Sequence, residues 1–184
     1  MMAKVLSTCI AEDLVQATKT CNLLPSNHFT CHPRRTTSDS LHYVITFVKN
    51  ALRKEVVSAL FLNIKGTFPN VVLSQLIHNM RNWGVLSQYT DFIACKVNGR
   101  QMMHKFDGYK SEPLTMTKCI DQGCPLSGIA YQFYNTDLVD IHDAENGENA
   151  VAFMDYILLL VWAKTLIESN TKSQADDGDK QWQP

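Results

Sequence analysis

Apolar positions along the 184-residue chain change period several times, and each change marks an element. Val5, Leu6, Cys9, Ile10 and Leu14 recur at roughly helical spacing and predict a first helix over residues 2–20, with those side chains inward. Pro25 and the polar stretch to Thr37 read as a loop. Leu41, Val44, Ile45, Val48, Ala51 and Leu52 keep the i, i+3, i+4, i+7 spacing of a second helix, the clearest in the chain, with Ser38 or Asp39 as its cap. Val56 to Ile64 is nearly continuously apolar and rich in β-branched residues, which predicts a strand buried on both faces. Gly66 and Pro69 end it. Asn70 is placed to cap a helix with the stripe Leu73, Leu76, Ile77 and Met80, closed at Gly84. A further helix is expected over residues 88–97, followed by the turn signal Asn98-Gly99. Residues 101–106 and 114–120 read as strands around a loop holding Gly108 and Pro113. Pro125 suits a helix start, with Leu126, Ile129, Ala130, Phe133 and Leu138 inward. After a polar loop over 143–149, Ala150 to Ala163 is a 14-residue apolar run interrupted by Asp155, as in a buried hairpin.

The order helix, strand, helix, helix, strands, helix, hairpin predicts an α+β fold with helices packed on a mostly antiparallel sheet. A hydrophobic share of 45% is enough for one compact domain with a sizeable core, expected over residues 1–168. Residues 169–184 carry almost no apolar side chain except Trp182 and read as a disordered polar tail. The 14-residue apolar run is too short to cross a bilayer, so no membrane partner is expected. Met1-Met2-Ala3-Lys4 opens no secretory signal, which predicts an intracellular setting, the nucleus included. The six cysteines form no CxxC pair and are expected as reduced thiols. His28-Phe29-Thr30-Cys31-His32 lacks a second ligand pair at zinc-like spacing and is not expected to hold a metal.

Net charge is −1, which by itself points to no polyanionic partner. The distribution is more informative. Residues 1–120 hold 14 Lys and Arg against 7 Asp and Glu, and residues 121–184 hold 3 against 11. A basic first two-thirds fits contacts to a phosphate backbone. A solvated surface is an equally good account of the asymmetry.

Three blocks carry candidate chemistry: Leu60-Phe61-Leu62-Asn63-Ile64-Lys65-Gly66-Thr67-Phe68-Pro69, Gln122-Gly123-Cys124-Pro125-Leu126-Ser127, and Phe153-Met154-Asp155-Tyr156. Alone, each has an ordinary structural explanation: a strand-to-helix turn, a helix start, a single acid at a hairpin turn. In this order they resemble the palm of a reverse transcriptase from a non-LTR (LINE-type) retrotransposon, of fungal flavour. Leu24 to Phe29 and Arg35 to Leu41 resemble the start of the fingers in the same family, and the likeness spans roughly residues 3–168.

The resemblance implies a partial right-hand polymerase palm with a fingers segment. It implies an RNA template, a DNA primer, a deoxynucleoside triphosphate, Mg²⁺ and no other small-molecule cofactor. The family places three metal-binding acids at the end of one strand and the tip of the adjacent hairpin. Here those positions hold Asn63, Asp155 and Tyr156, so a single carboxylate remains at Asp155. The resemblance makes Phe68, five residues past Asn63, the ring that screens the sugar 2′ position. It assigns nucleotide and template support to Gln122, Gly123, Pro125 and Ser127, and a phosphate or template contact to Arg35. Lys65 falls in the same phrase without a catalytic role. Cys124 stands where the family usually has an acid. The expectation is a truncated, degenerate domain whose polymerase activity is lost or severely impaired. Two other readings stay open: a non-catalytic nucleic-acid-binding module, and a retroelement relic without a selected role.

Overall fold

The computed structural model describes residues 2–30, 35–53, 56–116, 118–140, 142, 147–165, 167–169 and 171. The expected loop residues Cys31, His32 and Arg34, the basic Lys54, and nearly all of the polar tail lie outside the described residues. Five helices and seven strands follow in the order α1 (Met2–Thr20), α2 (Thr37–Ala51), β1 (Val56–Asn63), α3 (Leu73–Asn82), α4 (Ser87–Val97), β2 (Gln101–Met102), β3 (Lys105–Phe106), β4 (Tyr109–Lys110), β5 (Leu114–Thr115), α5 (Pro125–Asp140), β6 (Glu148–Phe153) and β7 (Tyr156–Ala163) among the described residues. The chain divides into two compact units. One joins Met1–Leu23 to Gly66–Tyr134, the other Leu24–Lys65 to Asn135–Pro184.

The second unit is built on an antiparallel sheet of order β1-β7-β6. β7 lies in the middle, and Ile157, Leu158, Leu160, Val161 and Ala163 are all buried, so its two faces are both covered. Two-sided burial was expected of β1. Instead β1 is an edge strand, and the side bearing Ala59, Phe61 and Asn63 is exposed, with Phe61 77% accessible. An apolar run alone does not reveal which strand has a neighbour on each edge. On one sheet face, Val151, Leu158 and Leu160 pack with Phe29 and with Val44, Phe47 and Val48 of α2. On the other, Ala150, Ala152 and Ile157 pack with Leu138 and Val139 of α5. Ser169, placed by the sequence in a polar tail, is buried, and its hydroxyl donates to Ser58 Oγ on β1 at 2.7 Å.

α2 forms where expected but is capped one turn earlier than its apolar pattern suggested. Thr36 is the N-cap, and Asp39 is its capping-box partner rather than the cap itself. The Thr36 hydroxyl and then its backbone N–H donate to the Asp39 carboxylate and hold it below the usual carboxylate range. Of the expected stripe, Val44 and Val48 face the sheet together with Phe47, while Leu41, Ile45 and Leu52 are exposed.

In the first unit α1 spans the expected residues, but a different face is inward. Ser7, Ala11, Leu14 and Thr18 are buried, and Val5, Leu6 and Cys9 are exposed. The two hydroxyls can be buried because each donates to its own helix, Ser7 to Ala3 O and Thr18 to Leu14 O. α3 starts at Leu73 with Val72 as N-cap and no side-chain cap, so Asn70 does not serve as expected. Its amide lies against Gly66 (φ +71°) in the preceding turn, leaving no room for a Cβ there. The two strands expected over 101–106 and 114–120 are four short pieces, β2 pairing with β5 and β3 with β4. α5 starts at Pro125 as expected, but it is buried on nearly every side from Leu126 to Thr136, polar Gln132, Asn135 and Thr136 included. A helix covered all round carries no amphipathic stripe to read.

Leu160→Ala should lower unfolding stability by about 2–5 kcal/mol, because it opens a cavity at a side chain of 1% exposure in the strand that both sheet faces depend on. Urea titration followed by far-UV circular dichroism measures it. The Asp39 contribution is fully present above the ordinary carboxylate pKa and is lost as pH falls through the lowered one. Asp39→Asn should therefore flatten the acid limb of the stability profile.

Candidate functional site

In the second unit, β1 and β7 run antiparallel with Asn63 directly opposite Tyr156. Past the end of β1, Ile64 N donates to Asp155 O at 2.8 Å. Register thus brings Asn63 to the adjacent pair Asp155 and Tyr156, more than ninety residues further along the chain, at one end of the sheet. Asn63 and Tyr156 are exposed and Asp155 is half-buried.

The hairpin tip is a two-residue turn between Phe153 and Tyr156, with Met154 at φ +55°. A side chain there costs of order 1 kcal/mol and persists only where neighbours hold it. Two neighbours do. Met154 N donates to Thr30 Oγ1 at 2.6 Å, and Asn135 Nδ2 donates to Met154 O at 3.1 Å. Asn135 Oδ1, the acceptor end of that amide, in turn accepts from the buried His28 Nε2 at 2.9 Å, so the imidazole is the donor at that nitrogen. The segment before it is tied to β6: Asn27 Nδ2 donates to Ala150 O, Phe29 N to Ala152 O, and Ala152 N to Asn27 O. Thr30, Asn135 and His28 therefore fix where Asp155 stands. The sequence placed His28 in a poor metal cluster and in the segment that resembles the start of the fingers, and gave neither His28 nor Asn135 a role at the hairpin.

Arg35 belongs to this unit and is exposed, but its guanidinium is occupied. Nη1 donates to Ser26 O at 2.6 Å and His28 O at 3.1 Å, and the group lies 5.1 Å from the centre of the Phe29 ring. It braces the loop that holds the hairpin.

Phe68 and the Gln122–Ser127 block lie in the first unit. Phe68 is half-buried against Tyr131, ring centres 5.7 Å apart, and its carbonyl accepts from Ile120 N at 3.1 Å. Gly123 (φ +84°) turns the chain into α5 as the motif predicts. Gln122 is exposed, Ser127 is buried, and Ser127 N donates to Cys124 O at 3.0 Å. The loop is held from α4 and the residues after it. Arg100 pairs with Asp121 and donates to Cys119 O at 2.7 Å; Lys96 Nζ reaches Cys124 Sγ at 2.8 Å and Ser7 Oγ at 3.0 Å. Ser7, Lys96, Asp121 and Cys124 border an open cleft of about 320 Å³, with Lys4 and Gln122 on its wall. Burial pushes the Cys124 thiol up, but the Lys96 ammonium and the N–H groups of Leu126 and Ser127 outweigh it and hold it below its ordinary value. Neither Lys96 nor Arg100 stood out as a site residue in the sequence.

Residues 1–176 match the family model described as reverse transcriptase (RNA-dependent DNA polymerase). The chain belongs to the reverse transcriptase family. Among solved structures it is similar to the apo telomerase of Candida tropicalis truncated from its C-terminal domain, at 11% sequence identity and a TM-score of 0.66. The match covers 94% of this chain and 36% of that one, so the chain spans little more than a third of that structure's length. No curated protein matches the chain. Mixed helices and antiparallel sheet in this order fit a partial palm-and-fingers fold of a polymerase.

Reverse transcriptases work with divalent cations, which favour several anionic oxygens. The Asn63–Asp155–Tyr156 end of the sheet offers one carboxylate, one amide and one phenol. Among the described residues no group of three or more His, Cys, Asp or Glu is arranged to hold a metal ion. This donor set does not fit a pair of divalent cations. Of the six cysteines, the five among the described residues are free thiols. No helix of the described residues is long and apolar enough to cross a membrane.

The rate at which iodoacetamide alkylates Cys124 should rise at a lower pH than that of an ordinary thiol, because its thiolate is favoured. Lys96→Met should move the rise of that rate to higher pH. Peptide mapping by mass spectrometry across a pH series reads both effects.

Proposed function

We propose that this reverse transcriptase domain derives from the RNA-directed DNA polymerase of a non-LTR (LINE-type) retrotransposon, of the fungal kind, and has lost most or all nucleotidyl transfer. The observation that carries this is the register of β1 on β7. It sets Asn63 and Tyr156 side by side next to Asp155, at the positions where the resemblance expects acids. The backbone frame of an active palm is kept, and two of its three charges are absent. Losing one preorganised electrostatic contributor in other enzymes costs about 10²–10³ in rate. Two lost metal ligands cost at least as much.

Phe68 beside Tyr131 and the Gly123 turn into α5 support a role in nucleotide and template contact inherited from the family. RNA template, DNA primer and Mg²⁺ are the ligands of the ancestral reaction. The basic surplus of residues 1–120 supports a second role for the present chain, sequence-tolerant binding of nucleic acid without catalysis.

Primer extension on a poly-rA template with an oligo-dT primer, in magnesium or manganese, tests the proposal. The unmodified chain should give no extension above background. An Asn63→Asp, Tyr156→Asp double variant should raise incorporation by about 100-fold or more if those side chains alone silence the palm. Robust template-dependent extension by the unmodified chain overturns the proposal.

A further inference from the structure

Away from the end of the sheet, in the first unit, a cluster of reactive side chains opens on solvent. Ser7 of α1, Lys96 of α4 and Cys124, the residue before α5, meet on the wall of the cleft of about 320 Å³. Lys96 Nζ stands 2.8 Å from Cys124 Sγ and 3.0 Å from Ser7 Oγ. The Asp121 carboxylate is farther from it, at 3.7 Å, and is paired with Arg100. Among the described residues Cys124 is the one thiol that bonds an ammonium group. Cys119 Sγ donates to Ile120 O, and Cys9, Cys21 and Cys95 are exposed without such a partner.

A neutral thiol is a weak acceptor, so a shielded ammonium group gains little from it. The contact becomes strong when the sulfur is charged. Burial works against that charge, and the Lys96 ammonium with the Leu126 and Ser127 N–H groups outweighs it. A thiolate is the form that peroxides oxidise, and the open cleft admits so small a reagent. Reacting atoms held about 3–3.5 Å apart are already in near-attack geometry. The Lys96 nitrogen and the Cys124 sulfur are closer than that.

We propose that Lys96 and Cys124 form a peroxide-responsive pair, in which oxidation of Cys124 is followed by a covalent bond between its sulfur and the Lys96 nitrogen. Hydrogen peroxide is the one reactant the site does not itself contain. The Cys124 thiolate attacks one peroxide oxygen and the O–O bond breaks. Sulfur is oxidised to the sulfenic acid, and the peroxide is reduced. The leaving hydroxide takes a proton from the Lys96 ammonium and departs as water. The neutral amine then attacks the sulfenic sulfur. An S–N bond forms, the S–O bond breaks, and the hydroxyl leaves as a second water with a proton from the amine. The bond ties the Gln122–Ser127 loop to α4, and it does not depend on any remaining nucleotidyl transfer.

Brief treatment of the full, reduced chain with hydrogen peroxide, followed by peptide mapping under non-reducing conditions, tests it. A peptide joining Lys96 to Cys124 should appear, lighter than its two parts together by a pair of hydrogen atoms. Dithiothreitol should abolish it, because a thiol attacks the sulfur of the S–N bond and returns the free thiol and amine. The urea midpoint should rise on oxidation and fall back on reduction, since the cross-link joins residues 28 apart in the chain. Lys96→Met should lose the cross-link and leave a Cys124 sulfenic acid that dimedone traps. Lys4→Met, on the wall of the same cleft, should keep the cross-link. The unmodified chain decides the matter without any variant having to fold. Cys124 trapped as sulfenic acid or oxidised further without a cross-link overturns the proposal. So does an S–N bond to Lys4, a disulfide as the product, or oxidation confined to Cys9, Cys21 and Cys95.

Discussion

The pairing of β1 with β7 is the constraint on which the second unit depends. β7 has a neighbour on each edge and cover on each face, so its side chains have only one compatible register: a slip of one residue would move Ile157 and Leu158 to opposite faces. That register places Asn63 opposite Tyr156 whatever chemistry those side chains support. The register of the sheet is therefore set by packing on its two faces and not by the residues at its end.

The hairpin tip shows the other side of the same economy. A strained backbone at Met154 is kept in place by Thr30 and Asn135, and Asn135 is itself oriented by a buried histidine. These polar groups are tolerated because they satisfy one another: Thr30 Oγ1 accepts from Met154 N, and the Asn135 side chain bridges Met154 O and His28 Nε2. They position the backbone around Asp155 rather than its carboxylate.

In the first unit the loop before α5 is held by a different device. Asp121 lies between Arg100 and Lys96, both partly shielded from water, and Lys96 also reaches Cys124 and Ser7. The basic surplus of the first 120 residues is thus not all available to a partner. Arg100 and Lys96 serve the loop, and Arg35 serves its own segment in the second unit.

Element order, the start of α5 at Pro125, and the hairpin around Asp155 were legible in the amino-acid sequence because they rest on local signals. A proline at a first helical turn, a glycine at positive φ and two short apolar strands each act within a few residues. The family resemblance was legible for the same reason, being carried by short phrases in order. Which face of α1 is inward, which strand lies at the edge, and why α5 carries polar residues at full burial were not. Each depends on a partner distant in the chain: burial of Ser7 and Thr18 needs their own helix carbonyls and a covered face, and Asn135 needs His28 and Met154. The sequence by itself determined which chemistry is present, one carboxylate with an amide and a phenol. Only the tertiary structure decided that these three share one end of a sheet, because strand register is set by packing on both faces and not by the residues at the site.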